Sequence, residues 1–82
     1  GMILSQGRLE RTFQDSILSI NASENLVVIR TLPGTAQAVA YGIDYMKWPE
    51  VLGTVAGDDT IFVAVDNRDH IQAFTARLNM HL

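Results

Sequence analysis

The hydrophobic period of the sequence changes at Pro33-Gly34, and this change limits the folds that the chain can adopt. Before it, the apolar and β-branched run Leu26–Thr31 has the pattern of a strand covered on both faces. After it, residues 35–47 have the period of an amphipathic helix, with apolar side chains at Ala36, Val39, Ala40, Ile43 and Met46. Because proline and glycine interrupt a strand, the two segments form separate elements joined by a turn.

The remaining segments repeat this layout. Strands are predicted at residues 16–21, 26–31, 51–56 and 60–65, with turns at residues 22–25 and 57–59. Asp66 or Asn67 can cap a final helix, whose inward stripe consists of Ile71, Phe74, Thr75 and Leu78. The order ββαββα predicts an α+β two-layer sandwich, in which two helices cover one face of a four-stranded, mainly antiparallel sheet.

The length of 82 residues allows one small domain. Residues 1–12 lack a clear period, and Gly1 before Met2 is typical of tag cleavage, so we expect a linker or the end of a cloned fragment there. Residues 13–82 are predicted to form the domain. Its second sheet face has no predicted cover, and 48% of the residues are hydrophobic. These two features predict that the chain associates with copies of itself.

Charge and composition exclude several kinds of protein. The net charge of −3 and the lack of any basic run argue against nucleic-acid binding by this domain. The chain has no cysteine, no apolar run that could span a bilayer and no visible secretory leader, so we expect a cytoplasmic protein. Neither His70 nor His81 has a nearby cluster of metal ligands in sequence, and no catalytic motif is present. We therefore expect no enzyme activity, no metal and no cofactor.

The most distinctive polar feature is Asp58-Asp59 at the predicted hairpin tip. Such a pair can be a solvated turn, a ligand for Mg²⁺ or Ca²⁺, or a binding site for a guanidinium group. Gln37 and Asp44 lie seven residues apart, and therefore about two helical turns apart on one stripe of the predicted helix, with Tyr41 between them. Thr54 and Ala56 precede the tip, and their polar groups could orient a zwitterion. From the residues alone, a solvated surface remains an alternative for each.

Two motifs together resemble a known family. They are the string GTVAGDDTI at residues 53–61 and, at the expected distance from it, the element Pro-Gly-Thr-Ala-Gln at residues 33–37. The strand Leu26–Thr31 and Asp44 also fit the resemblance. The chain from about Ser16 to the last helix is similar to the C-terminal domain of bacterial arginine repressors.

The resemblance implies an α+β domain that forms trimers, two of which stack into a hexamer. It implies L-arginine as a corepressor bound between the trimers, with no further cofactor. The ligand contacts would fall on Gln37, Asp44, Thr54, Ala56, Asp58 and Asp59. Asp58 matches the carboxylate that reaches the ligand across the trimer interface, and Asp59 and Gln37 match groups near its backbone end. Operator DNA would be bound only by an N-terminal winged helix-turn-helix, which this sequence lacks.

Three other functions stay open from the residues. The chain could be an enzyme of small-molecule metabolism, an amino-acid-binding regulatory module of a metabolic enzyme, or a purely structural trimerisation domain. The first needs an acid–base residue that the sequence does not offer. A panel of amino acids would separate the regulatory module from a repressor domain only if arginine is not the preferred ligand, and a purely structural domain predicts no response to any ligand.

Overall fold

The four predicted strands form one antiparallel sheet in the computed structural model, which describes residues 5–82 except the side chain of Gln6. Along the sheet the strands lie in the order β1-β2-β4-β3. The strands are β1 (Ile17–Ser23), β2 (Leu26–Thr31), β3 (Val51–Ala56) and β4 (Thr60–Val65). The helices are α1 (Gln6–Ser16), α2 (Ala36–Met46) and α3 (Ile71–Met80), and a 3₁₀ turn (Arg68–His70) precedes α3. The predicted α+β two-layer sandwich is therefore confirmed, with one additional helix.

Alternation along the two central strands directs one face of the sheet toward the helices. The fully buried side chains of this face are Val27, Ile29, Thr31, Ile61, Val63 and Val65. From the helices, the core receives Phe13, Ala36, Val39, Ala40, Ile43, Phe74 and Leu78. Asn67 caps the 3₁₀ turn by accepting a hydrogen bond from the backbone N–H of Asp69 at 2.8 Å, which confirms one of the two predicted caps.

The N-terminal helix α1 is the main departure from the sequence prediction. Leu9 and Phe13 lie one helical turn apart and are buried. The expectation of a lead-in without regular structure is therefore wrong for residues 6–12, whereas residues 1–4 lie outside the described residues. The helix escaped prediction because only two apolar residues mark its inner face. The boundary of the functional domain at residue 13 stays a prediction.

Close packing of α1 on α2 explains the glycine in the middle of α2. A Cβ atom added at Gly42 would lie 2.9 Å from Cε1 of Phe13 and 3.0 Å from Cδ2 of Leu9. The sequence predicts a close contact at this position, since glycine weakens a helix, and that prediction is confirmed.

No element formed by residues 5–82 covers the second face of the sheet, as predicted. Phe62 on β4 is the register partner of both Val28 on β2 and Val55 on β3, which places three apolar side chains in one row. Val55 is 73% exposed and Phe62 is 49% exposed. We call this surface the open sheet face.

The chain end is held by an aromatic cluster around Trp48. The His81 ring stacks on Trp48 at 5.9 Å, and the Arg77 guanidinium lies 5.3 Å from the centroid of the same ring. Arg77 also donates to the buried carboxylate of Glu50 at 2.8 Å, and His81 contacts Glu10 of α1 at 3.0 Å. This cluster joins α1, α3 and the turn after α2, so Trp48 stabilises the fold of the single chain.

Replacing Gly42 by alanine should lower the free energy of unfolding by about 1 kcal/mol, because overpacking Leu9 and Phe13 outweighs the gain in helix propensity. Gly7 of α1 provides the matched control, since an added Cβ there meets nothing within 4 Å. Gly7→Ala should therefore stabilise the chain by up to about 1 kcal/mol. Urea unfolding of both variants tests the α1–α2 contact, and equal effects of the two substitutions would contradict it.

Candidate functional site: an acidic hairpin tip beside the start of helix α2

Backbone hydrogen bonds fix the Gly57-Asp58-Asp59 tip against the loop that leads into α2. The Asp58 carbonyl accepts from the N–H of Gly34 at 3.0 Å and of Ala36 at 3.3 Å. The Asp59 carbonyl accepts from the N–H of Thr31 at 2.8 Å. Gly34 has a φ of +83°, which glycine adopts without strain, and this allows the loop to turn back to the tip. The two aspartates are therefore held on an anchored loop at the N-terminus of a helix.

The two neighbouring carboxylates have different surroundings. Asp59 accepts from the Thr60 hydroxyl at 2.9 Å and forms an ion pair with the Arg30 guanidinium at 3.4 Å. Asp58 is exposed, and no described side chain donates a hydrogen bond to its carboxylate or forms an ion pair with it. An anchored carboxylate without a counter-charge is suited to bind a cation from outside the chain.

A second pair of hydrogen bonds links α2 to the edge strand β3. The Gln37 side-chain amide donates to the Ala56 carbonyl at 3.0 Å. Two turns along the helix, the Thr54 hydroxyl contacts both carboxylate oxygens of Asp44, at 3.1 and 3.0 Å. The predicted common stripe of Gln37 and Asp44 is therefore confirmed, and it faces the strand that carries Thr54 and Ala56.

The six predicted ligand-binding residues thus form one surface. Gln37 and Asp44 are bonded to Ala56 and Thr54 along the α2–β3 seam, and the tip with Asp58 and Asp59 continues that seam. We call this surface the acidic seam. A pocket of about 320 Å³ adjoins it, lined by Asp44 together with residues 47–49 and 51–53. Binding of a ligand by the six predicted residues stays a prediction.

Arg30 belongs to this surface and was missed by the sequence analysis. It lies on β2 opposite Thr60, whose neighbour is Asp59. The pairing of β2 with β4 brings the guanidinium to the tip, although 29 residues separate Arg30 from Asp59. Arg30 lies one residue before the end of a predicted strand, and only the strand order, which the sequence leaves open, identifies its partner.

The seam offers hydrogen bonding and negative charge. Within residues 5–82, no three His, Asp or Glu side chains are grouped so that they could hold a metal ion. The acidic seam has three carboxylates, those of Asp44, Asp58 and Asp59, which favour a cationic ligand.

A second polar cluster lies at the start of α3, where Pro49, Glu50, Asp66, His70, Ala73 and Arg77 line a pocket of about 220 Å³. His70 Nδ1 lies 2.6 Å from an Asp66 carboxylate oxygen. This hydrogen bond and the charge of Asp66 raise the pKa of His70 above its ordinary value of 6.5.

The raised pKa of His70 predicts a pH-dependent contribution to stability. A group whose pKa is higher in the folded state stabilises the fold below its ordinary pKa, and this contribution is lost as the pH rises through the folded value. Substitution His70→Gln should therefore destabilise the chain well below pH 6.5 and have little effect well above its raised pKa. Urea unfolding in two such buffers measures this. A loss of stability that is equal in both buffers would contradict the ion pair.

The fold and the anchored tip define a class: a small α+β sandwich with an acidic hairpin at the start of its central helix. The family model for the C-terminal domain of the arginine repressor matches residues 13–80. This chain belongs to the family of arginine repressor C-terminal domains. The resemblance seen in the two sequence motifs is thereby confirmed.

Individual relatives agree with this family. The chain is 51% identical to the arginine repressor of Desulforudis audaxviator over 74 residues, which are 90% of this chain and 49% of that protein. It is 54% identical to the arginine repressor of Moorella thermoacetica over 76 residues, which are 93% of this chain and 50% of that protein. The chain therefore spans about half the length of these curated relatives. They are named as repressors, which are regulatory proteins and not enzymes, as the sequence predicts.

The longest helices among the described residues have 11 residues, and none has the length and apolar character needed to traverse a bilayer.

Proposed function

We propose that this chain is the arginine-sensing and oligomerisation domain of a cytoplasmic transcriptional repressor of arginine metabolism. Membership of the family and the names of the relatives support the repressor and its link to arginine. The carboxylates of the acidic seam support a cationic ligand. The proposed contacts of L-arginine are Gln37, Asp44, Thr54, Ala56, Asp58 and Asp59.

The observation that carries the proposal is the Asp58 carboxylate, which is exposed, anchored through its own backbone and unpaired among the described side chains. A guanidinium group fits such a carboxylate because it donates two parallel hydrogen bonds in one plane. Lysine carries a compact ammonium group without this geometry and should bind less tightly. The amide of Gln37 and the carboxylate of Asp44 lie along the same seam and suit the polar backbone end of an amino acid.

The site of a single chain is an open surface, and we propose that a second copy completes it. The open sheet face, with Val55 and Phe62, provides apolar area for a trimer. When two trimers stack, Asp58 side chains from facing copies would repel each other. Arginine supplies the missing counter-charge, so it binds the stacked hexamer better than separate trimers. By linkage, a ligand of this kind stabilises the hexamer.

DNA recognition is assigned to the part of the protein that this chain does not include. The chain spans about half of its relatives and has a net charge of −3, which disfavours contact with phosphates. We therefore propose that this domain controls DNA binding by setting the number and arrangement of attached DNA-binding domains. On its own it should not bind operator DNA.

Substitution Asp58→Asn should weaken L-arginine binding by at least about tenfold, because a charge-assisted contact contributes roughly 1.5–3 kcal/mol. Asp69→Asn is the matched control: it removes the same charge from an exposed position in the 3₁₀ turn before α3. Isothermal titration calorimetry of both variants measures the effect. Unchanged affinity in Asp58→Asn, or an equal loss in Asp69→Asn, would refute the proposed site.

Arginine should also shift the assembly toward the hexamer. In sedimentation velocity experiments, increasing L-arginine should shift the population from trimer to hexamer. L-lysine should produce a smaller shift at equal concentration. In Asp58→Asn the trimer should persist at all arginine concentrations. A wild-type mass that arginine leaves unchanged contradicts the linkage between ligand and stacking.

A further inference from the structure

The ion pair between Arg30 and Asp59 places a guanidinium group of the chain itself at the acidic tip. The two groups are 3.4 Å apart, and their side chains are 55% and 43% exposed. The other carboxylate oxygen of Asp59 accepts from Thr60 at 2.9 Å. Both oxygens of Asp59 therefore have partners in the folded chain, whereas the adjacent Asp58 carboxylate has none among the described side chains.

We infer that Arg30 is a specificity-determining residue, which lowers the negative charge of the tip and thereby disfavours a ligand of net charge +2 relative to one of net charge +1. The inference rests on the proposed function and adds a determinant of ligand choice to it. The two aspartates carry two negative charges, and Arg30 compensates one of them. L-arginine has a net charge of +1, because its α-carboxylate offsets one of its two positive charges, so the positive charge of Arg30 disfavours it less than a ligand of net charge +2.

The same argument predicts which ligand is rejected. Agmatine is arginine without its carboxylate, so it keeps the guanidinium fork and carries two positive charges near neutral pH. It should make the same contact with Asp58. Its second positive charge gains less from a tip that Arg30 has already partly neutralised, and the guanidinium of Arg30 repels it. Arg30 lies 3.4 Å from Asp59, the residue next to Asp58, and charges separated by less than about 8 Å are incompletely screened at physiological ionic strength.

The chain contains a matched control for removing this charge. Arg68 and Glu24 form another exposed ion pair at 3.4 Å, and neither residue belongs to the acidic seam. Substitutions Arg30→Gln and Arg68→Gln each remove one positive charge and one surface ion pair. A difference between them therefore reports the position of the charge and not the net charge of the chain.

The test is calorimetric titration of the wild-type chain and the variants with L-arginine and with agmatine at one ionic strength. The measured quantity is the ratio of the two affinities. Arg30→Gln should shift this ratio toward agmatine by roughly three- to tenfold, and Arg68→Gln should leave it unchanged. Asp59→Asn removes the carboxylate but keeps Arg30, so it should shift the ratio in the opposite direction. This opposite sign keeps the test decisive if Arg30→Gln fails to fold or assemble.

The outcomes separate the inference from the proposed function. One outcome is that the wild-type chain binds L-arginine while Arg30→Gln and Asp59→Asn both keep the wild-type ratio of the two affinities. In that case the inference is wrong and the proposed function stands. An equal shift in Arg68→Gln also overturns the inference. If the wild-type chain does not bind L-arginine, the proposed function fails and the inference fails with it.

Discussion

The structure of the acidic seam depends on two hydrogen bonds that the Asp58 carbonyl accepts from Gly34 and Ala36. They fasten the hairpin between β3 and β4 to the first residues of α2, so the tip has a defined position although it lies at the surface. The backbone of Asp58 is thereby fixed while its carboxylate remains open to solvent. A flexible tip would lose conformational entropy each time it bound a ligand, and the anchored tip avoids much of that cost.

The layered architecture separates the two surfaces that the proposed assembly needs. The helices cover one face of the sheet and leave the open sheet face, with Val55 and Phe62, exposed. The acidic seam lies at the edge of the same sheet, where β3 meets α2. A copy packed on the open sheet face therefore leaves the seam available for a different neighbour. A trimer able to stack on a second trimer requires a stacking surface that is distinct from the surfaces holding the trimer together.

The sequence predicted the strands, the two main helices and the layer order, because alternating and helical periods are strong over residues 16–31, 35–47 and 51–65. It missed α1, whose inner face is marked only by Leu9 and Phe13, and whose burial depends on a glycine 29 positions after Phe13. The stripe of Gln37 and Asp44 followed from helical geometry. The role of Arg30 did not, since its contact with Asp59 requires knowledge of the strand order. Local pattern therefore predicted the elements, and tertiary pairing decided which charges meet.

The most direct test of the account is an experimental structure of the assembled chain crystallised with L-arginine. The account predicts a guanidinium group within hydrogen-bonding distance of the Asp58 carboxylate of one copy, with the rest of the ligand against the α2–β3 seam of another. Arginine bound elsewhere, or a tip that faces solvent with no second copy nearby, would contradict it.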